Sequence, residues 1–87
     1  MEFIQNQDVF ATDLDNEVCI FNPENGEYIN LNATATEIWN IIEESKNIDS
    51  ILDSLHKIYE GEIEIIKKNL LEFLEEGTKN GFITKLN

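Results

Sequence analysis

Apolar positions in the first third of the chain come in short runs separated by turn residues. Asp8-Val9-Phe10-Ala11-Thr12-Asp13 holds β-branched and aromatic residues and gives way to Leu14-Asp15-Asn16-Glu17, a turn. Val18-Cys19-Ile20-Phe21 is a continuous apolar run, the pattern of a central strand covered over most of its surface. Asn22-Pro23-Glu24-Asn25-Gly26 is a strong turn signal, because proline presets φ and Asn-Gly accepts positive φ. Tyr28-Ile29-Asn30-Leu31 then completes a three-stranded antiparallel meander.

After Asn32 the apolar period lengthens to that of a helix. Ala35, Ile38, Trp39 and Ile42 share one face, and Thr34 and Glu37 have the spacing of a capping box. Asn47 suits the N-cap of a second helix, whose stripe is Ile48, Ile51, Leu52, Leu55 and Tyr59. Gly61 interrupts the pattern. A third helix follows, from about Glu62 to Lys79, with the stripe Ile63, Ile66, Leu70, Phe73, Leu74 and Gly77. Asn80-Gly81 ends it, glycine being the natural left-handed residue past a helix C-terminus, and Phe82-Ile83 returns to the core. Three strands followed by three helices predict an α+β, winged-helix-like domain.

The 87 residues fit one small domain over 1–87, with a core from about Asp8 to Ile83 and only the first few and last two or three residues loose. No stretch approaches the roughly 20 apolar residues of a membrane span. Met1-Glu2-Phe3-Ile4-Gln5 has no basic region leading into an apolar run, so no secretory signal is visible. A single cysteine, Cys19, cannot form an internal disulfide. Together these features favour a cytoplasmic protein without a membrane partner.

Charge narrows the function classes. Eighteen acidic residues face six lysines and no arginine, a formal net charge of −12. A phosphate backbone would be repelled, and the bidentate arginine contacts that read guanine are impossible, so nucleic acid is not expected as a partner. Solubility is the plain reading of the acidity. Preference for a basic partner or peptide is the functional one.

Candidate catalytic chemistry is thin. Glu62, Glu64, Glu72, Glu75 and Glu76 on the third helix read as a solvated acidic face, because the only histidine, His56, lies on another helix. As a general base His56 lacks a cleft, an orienting partner and a nucleophile. Cys19 reads as a small packing residue and Trp39 as core. No metal, organic cofactor or catalytic residue is called for, and the chain reads as a non-enzyme.

One segment is more specific than the rest. Gly26-Glu27-Tyr28-Ile29-Asn30-Leu31-Asn32-Ala33-Thr34-Ala35-Thr36-Glu37-Ile38-Trp39 follows the pattern Gly-x-Tyr-x-x-Leu-Asn-x-Thr-Ala-x-x-Ile-Trp, and it resembles the PqqD-like family of small peptide-binding proteins. Phe73-Leu74 and Asn80-Gly81-Phe82-Ile83 resemble the family's last helix, glycine and apolar pair. The likeness runs from about Asp8 to Ile83. It implies a winged-helix fold that serves as a recognition element in the biosynthesis of modified ribosomal peptides. Such a protein captures the leader segment of a precursor peptide and presents it to a modifying enzyme, such as a radical S-adenosylmethionine enzyme or a leader peptidase. The leader docks as an extra strand on the third strand, in the groove toward the third helix. Quinone-pathway members carry arginine in their middle section and this chain has none, so the resemblance implies leader binding without selecting that pathway.

Carried onto this chain, the strand side of the site is Glu27, Tyr28, Ile29, Asn30 and Leu31. An edge strand offers unpaired N–H and C=O groups to a partner strand, and the same edge could pair with a second copy. If the Ile29 N–H faces the peptide, proline there is expected to abolish binding. On the third helix, 100° steps place Lys67, Leu71 and Thr78 beside the core stripe. Leu74 lies at the seam, and Leu70 counts with the same wall. Leu71 is either a groove residue or a surface leucine, and Tyr28 either packs with the sheet or stands beside the peptide. Two other classes fit less of the chain. A carrier-like or other interaction module would use Asp49-Ser50 or Asp53-Ser54-Leu55. A winged-helix regulator would need a basic recognition helix, but the third helix carries five glutamates and three lysines.

Overall fold

The strand and helix signals resolve, in a computed structural model describing residues 2–86, into eight elements. They are β1 (Phe3–Gln5), β2 (Phe10–Leu14), β3 (Glu17–Asn22), β4 (Glu27–Asn30), α1 (Ala33–Glu44), α2 (Ile48–Ile58), α3 (Ile63–Lys79) and β5 (Ile83–Lys85). The expected three-stranded antiparallel sheet is present in the order β2-β3-β4. Asp15 and Asn16, with φ of 54° and 66°, form the two-residue link between β2 and β3. Positive φ at both central residues matches the right-handed twist of the strands they join. The Asp13 carboxylate steadies that turn by accepting the Asn16 N–H at 3.1 Å.

β3 is central in the sheet but open on one side. Val18, Ile20 and Asn22 are buried, whereas Cys19 and Phe21 on the opposite face are only half-buried. The apolar run therefore alternates like a strand with one covered face. Helix α1 covers that face.

Helix ends follow local chemistry. Asn32, extended at φ −70° and ψ 179°, caps α1 by accepting the Ala35 N–H at 2.8 Å. The expected Thr34–Glu37 capping box does not form, because Thr34 already lies inside the helix and the asparagine two residues earlier supplies the acceptor. Asn47 caps α2 through the Asp49 N–H. At the end of α3, Gly81 takes φ 83° and the Phe82 N–H reaches back to the Gly77 carbonyl at 2.9 Å. That six-to-one bond satisfies a carbonyl the helix leaves free and turns the chain into β5.

The core gathers Ile38, Trp39 and Ile42 of α1, Ile51 and Leu55 of α2, and Leu70 and Leu74 of α3 with Val18, Ile20, Leu31, Phe82 and Ile83. A second sheet, not expected from the sequence, closes the other end. β1 pairs antiparallel with β5 through Phe3↔Lys85, Ile4↔Thr84 and Gln5↔Ile83. On its other side the Phe3 N–H donates to the Lys46 carbonyl, and Glu2 bridges Asn47. The first residues and Lys85, read as loose ends of the domain, thus join Ile83 and Thr84 in a ladder, with Phe3 only 6% exposed.

Candidate functional site

Which backbone groups β4 offers follows from one bond. The Leu31 N–H donates to the Val18 carbonyl at 2.8 Å, and the β3–β4 register sets Cys19 opposite Asn30, Ile20 opposite Ile29 and Phe21 opposite Tyr28. Antiparallel strands alternate, so Leu31 and Ile29 turn their backbone groups to β3 and Tyr28 and Asn30 turn theirs outward, while at the turn the Glu27 N–H donates to Asn25 Oδ1 at 3.0 Å. Among the described residues no strand pairs with that outer edge. The Ile29 N–H therefore belongs to the ladder, and the substitution at Ile29 considered above would damage the sheet instead of testing the edge. Leu31 is buried and Ile29 half-buried against the core, while Glu27, Tyr28 and Asn30 are exposed.

Thr36 holds the junction of this edge with α1. Its hydroxyl accepts the Val18 N–H at 3.0 Å and donates to the Leu31 carbonyl at 3.3 Å. It stands where a direct strand bond would otherwise close, which lets β4 peel from β3 and enter the helix with both buried groups satisfied.

Beside the junction lies a concavity. Asn32, Thr34, Ala35 and Ile38 form one wall and Asn69, Glu72, Phe73 and Glu76 of α3 the other. It shares Thr34, Ile38 and Asn69 with a second cavity of about 310 Å³, which reaches Leu55, Tyr59, Ile65 and Ile66 and the turn Glu60-Gly61-Glu62. The Tyr59 phenol is held above its ordinary pKa, chiefly by burial and next by the Glu37 carboxylate beside it, with Thr34 pulling the other way. Glu37 Oε2 is shut off from solvent with no hydrogen-bond partner among the described residues.

The helix-three residues expected to wall the groove lie elsewhere. Leu70 and Leu74 are core, 0% and 2% exposed, and do not reach a free surface. Lys67 and Leu71 line a shallow depression with Glu64, Lys68, Glu72 and Glu75, which no residue of β4 or α1 enters. Thr78 spends its hydroxyl on the Leu74 carbonyl at 2.7 Å. Both flanks of the core stripe satisfy the same 100° arithmetic, and the helix presents the Asn69–Glu72–Phe73–Glu76 flank to the β4–α1 junction. Tyr28, 70% exposed, stands on the outer face of the sheet against Phe21, ring centroids 4.7 Å apart. The acidic residues form no group able to hold a metal among the described residues.

Against known families, the profile for coenzyme PQQ synthesis protein D (PqqD) matches residues 17–83, most of the chain. The chain belongs to the PqqD family. No curated protein matches it. Two solved structures share the fold of this PqqD-family chain. One is TbiB1 in complex with the TbiA(beta) leader peptide, at 23% identity over 97% of this chain and 98% of that one, with a TM-score of 0.89. The other is lasso peptide synthetase B1 complexed with the leader peptide, at 20% identity over 98% and 100%, with a TM-score of 0.85.

Two PqqD-family site features went unread in the sequence. The direct passage Leu31-Asn32 from strand into helix already requires the first turn of α1 to border the edge. Ile65, apolar but off the core stripe and 58% exposed, also marked the flank on which the larger cavity opens.

Proposed function

We propose that this protein binds the leader segment of a ribosomally made precursor peptide as an added strand on β4 and hands it to a modifying enzyme, without catalysing a reaction itself. One observation carries the reading. The edge of β4 with its outward groups at Tyr28 and Asn30 leads directly through Leu31 to Asn32, which lines a groove between α1 and α3, and strand addition needs that pairing of features: backbone groups for affinity and pockets for alternate side chains. The shared fold supports it, since both similar structures hold leader peptides. The peptide-facing set is Glu27 to Leu31 with Thr34, Asn69, Glu72, Phe73 and Glu76. The downstream enzyme is of the radical S-adenosylmethionine or leader-peptidase kind, and the complex forms in the cytoplasm. No helix among the described residues is long and apolar enough to cross a membrane. Of the two serines a carrier role would use, Ser54 sits half-buried in mid-α2, a poor mooring for a mobile prosthetic arm, while Ser50 is exposed in the first turn.

Titrating the protein with the leader of a short reading frame beside its gene, while following backbone amide NMR signals, tests the proposal. Shifts concentrated at Tyr28, Asn30, Asn69 and Glu72 are expected. Binding that leaves the Tyr28 and Asn30 amides unmoved would refute strand addition.

A further inference from the structure

The groove beside β4 has a charge and a shape that restrict what can lie in it. Glu72 and Glu76 stand on its α3 wall, and the cavity beyond it carries Glu60 and Glu62 at its turn, with no lysine lining either space. Neither Glu72 nor Glu76 is ion-paired among the described residues, where the single salt bridge is Lys57 to Asp53. No lysine lines either cavity; Lys67 and Lys68 meet Glu72 only in a neighbouring depression, so Glu72 and Glu76 together keep the groove wall net acidic. Such a wall attracts cations and repels an acidic segment.

Beyond the wall the 310 Å³ cavity lies at the small end of the range for ligand pockets, the size for a side chain and not for a large cofactor. Ile65 at its margin is an exposed apolar side chain outside the core, and Ile66 and Leu55 line its floor.

Direction follows from topology. β2, β3 and β4 are antiparallel neighbours, and a strand continuing that pattern runs opposite to β4. β4 points from Glu27 toward α1, so the incoming strand reaches α1 and the cavities with its N-terminal part.

Resting on the strand-addition reading, we infer that this protein selects cationic leaders of one polarity. N-terminal to the residues paired with Tyr28 and Asn30, the peptide carries a lysine or arginine over Glu72 and Glu76. Further toward its N-terminus a bulky apolar side chain fills the cavity beside Tyr59 and Ile65. The occupant is a basic peptide segment, and an acidic or uniformly polar leader is rejected.

The test is selection from a library of random linear peptides displayed against the full chain, followed by amide NMR mapping of the winners. Expected are winners that shift Tyr28 and Asn30, with lysine or arginine enriched N-terminal to the paired stretch and a large apolar residue enriched beyond it. The double variant Glu72→Lys, Glu76→Lys, altered only at exposed positions, should weaken the best wild-type winner about tenfold, the summed effect of exposed charge pairs lost and reversed. Reselection on it should favour aspartate or glutamate. Ile65→Ser should erase the apolar enrichment and leave the cationic one. Winners that shift β4 yet show no cationic bias, or are indifferent to the double variant, overturn this inference while strand addition stands. Winners with the bias on the C-terminal side overturn the polarity. Winners that bypass Tyr28 and Asn30, or a library without binders, overturn strand addition and this inference together.

Discussion

The two sheets of this molecule use the same antiparallel ladder to opposite ends. β1 is enclosed, with β5 on one side and the Lys46–Asn47 backbone on the other, and Phe3 and Ile83 at its heart are 6% and 3% exposed. The β2-β3-β4 sheet is open. Every residue of β2 is exposed, three of four in β4 are, and only the inner face of β3 is buried. The enclosed ladder fastens the two ends of the chain to α1 and α3. The open one leaves backbone groups without partners, a hazard for a protein with no use for them. Stability and availability are thus assigned to different sheets, and substitutions can separate them.

The largest effect falls on the enclosed sheet. Gly77 is buried where α3 passes β5, and a Cβ there would come within 3.0 Å of Phe82 Cε1 and the Ile83 Cβ, and closer still to Ile83 Cγ1. Gly77→Val should cost about 3 kcal/mol through overpacking. At about 4–8 °C per kcal/mol for a domain this small, the melting midpoint should fall by roughly 12–24 °C. Calorimetry checks it. The part still folded should bind peptide with unaltered affinity. A variant that melts normally would mean that β5 is not held against α3 as described.

Thr36 lies between the two regimes, buried at 4% exposure but serving the open sheet. Thr36→Val keeps the shape and removes the hydroxyl, stranding the Val18 N–H and the Leu31 carbonyl. A loss of about 1–3 kcal/mol in denaturant unfolding is expected, the penalty for buried polar groups left unpaired. Because the stranded groups sit where β4 leaves β3, amide exchange should quicken at Leu31 before it does at Phe3. Uniform quickening would show that the hydroxyl supports the whole fold and not this junction.

The open sheet was legible in the sequence and the enclosed one was not, for a physical reason. β2, β3 and β4 are consecutive, and Asp15-Asn16 and Asn25-Gly26 announce the turns that pair them. β1 and β5 are three residues each, lie at opposite ends of the chain and have no turn to link them, so their pairing is decided by α1 and α3 bringing the ends together. The helical stripes were equally plain in the spacing of Ile51 and Leu55 or of Leu70 and Leu74. The flank of α3 that lines the groove with Asn32 and Thr34 was not, because a helix carries two symmetric borders along its buried stripe. Lys67 and Leu71 lie on one, Asn69 and Glu76 on the other, and only the packing of α3 against α2 and β5 chooses between them. The charge of Glu72 and Glu76 further disguised the wall as ordinary solvated surface.

Within the open sheet the two free edges form a second contrast. By the alternation set at Val18 and Leu31, Asn30 points its N–H outward on β4, and Asp13 does so on β2. Proline at either position removes no ladder bond, and Asp13→Pro loses only the exposed side-chain bond to the Asn16 N–H, so both variants should fold. Asn30→Pro should weaken leader binding at least tenfold, about 1.4 kcal/mol, by removing one backbone donor and placing a ring in the path of the strand. Asp13→Pro should change affinity less than about twofold, because no residue of β2 lines the groove that Asn32 opens beyond β4. Titration calorimetry on the pair decides between them. Equal losses would show that the peptide does not distinguish the edges.

The smallest effect separates edge from face. Phe10, Phe21 and Tyr28 stand opposite one another across the three strands and form an aromatic row on the outer face of the sheet, with Phe10 65% exposed. A peptide lying flat on that face would cover the row, whereas one added beside β4 meets Tyr28 alone. Phe10→Ala removes one cross-strand pair, so stability should fall by only about 0.2–1 kcal/mol. Leader affinity should stay within about twofold if the peptide is a fourth strand, since Phe10 is then two strands away. Burial under a peptide on the face would instead make Phe10 an aromatic anchor, and its truncation would cost more than 1 kcal/mol, at least fivefold in affinity. A conservative change at an exposed residue thus distinguishes two geometries that share Tyr28.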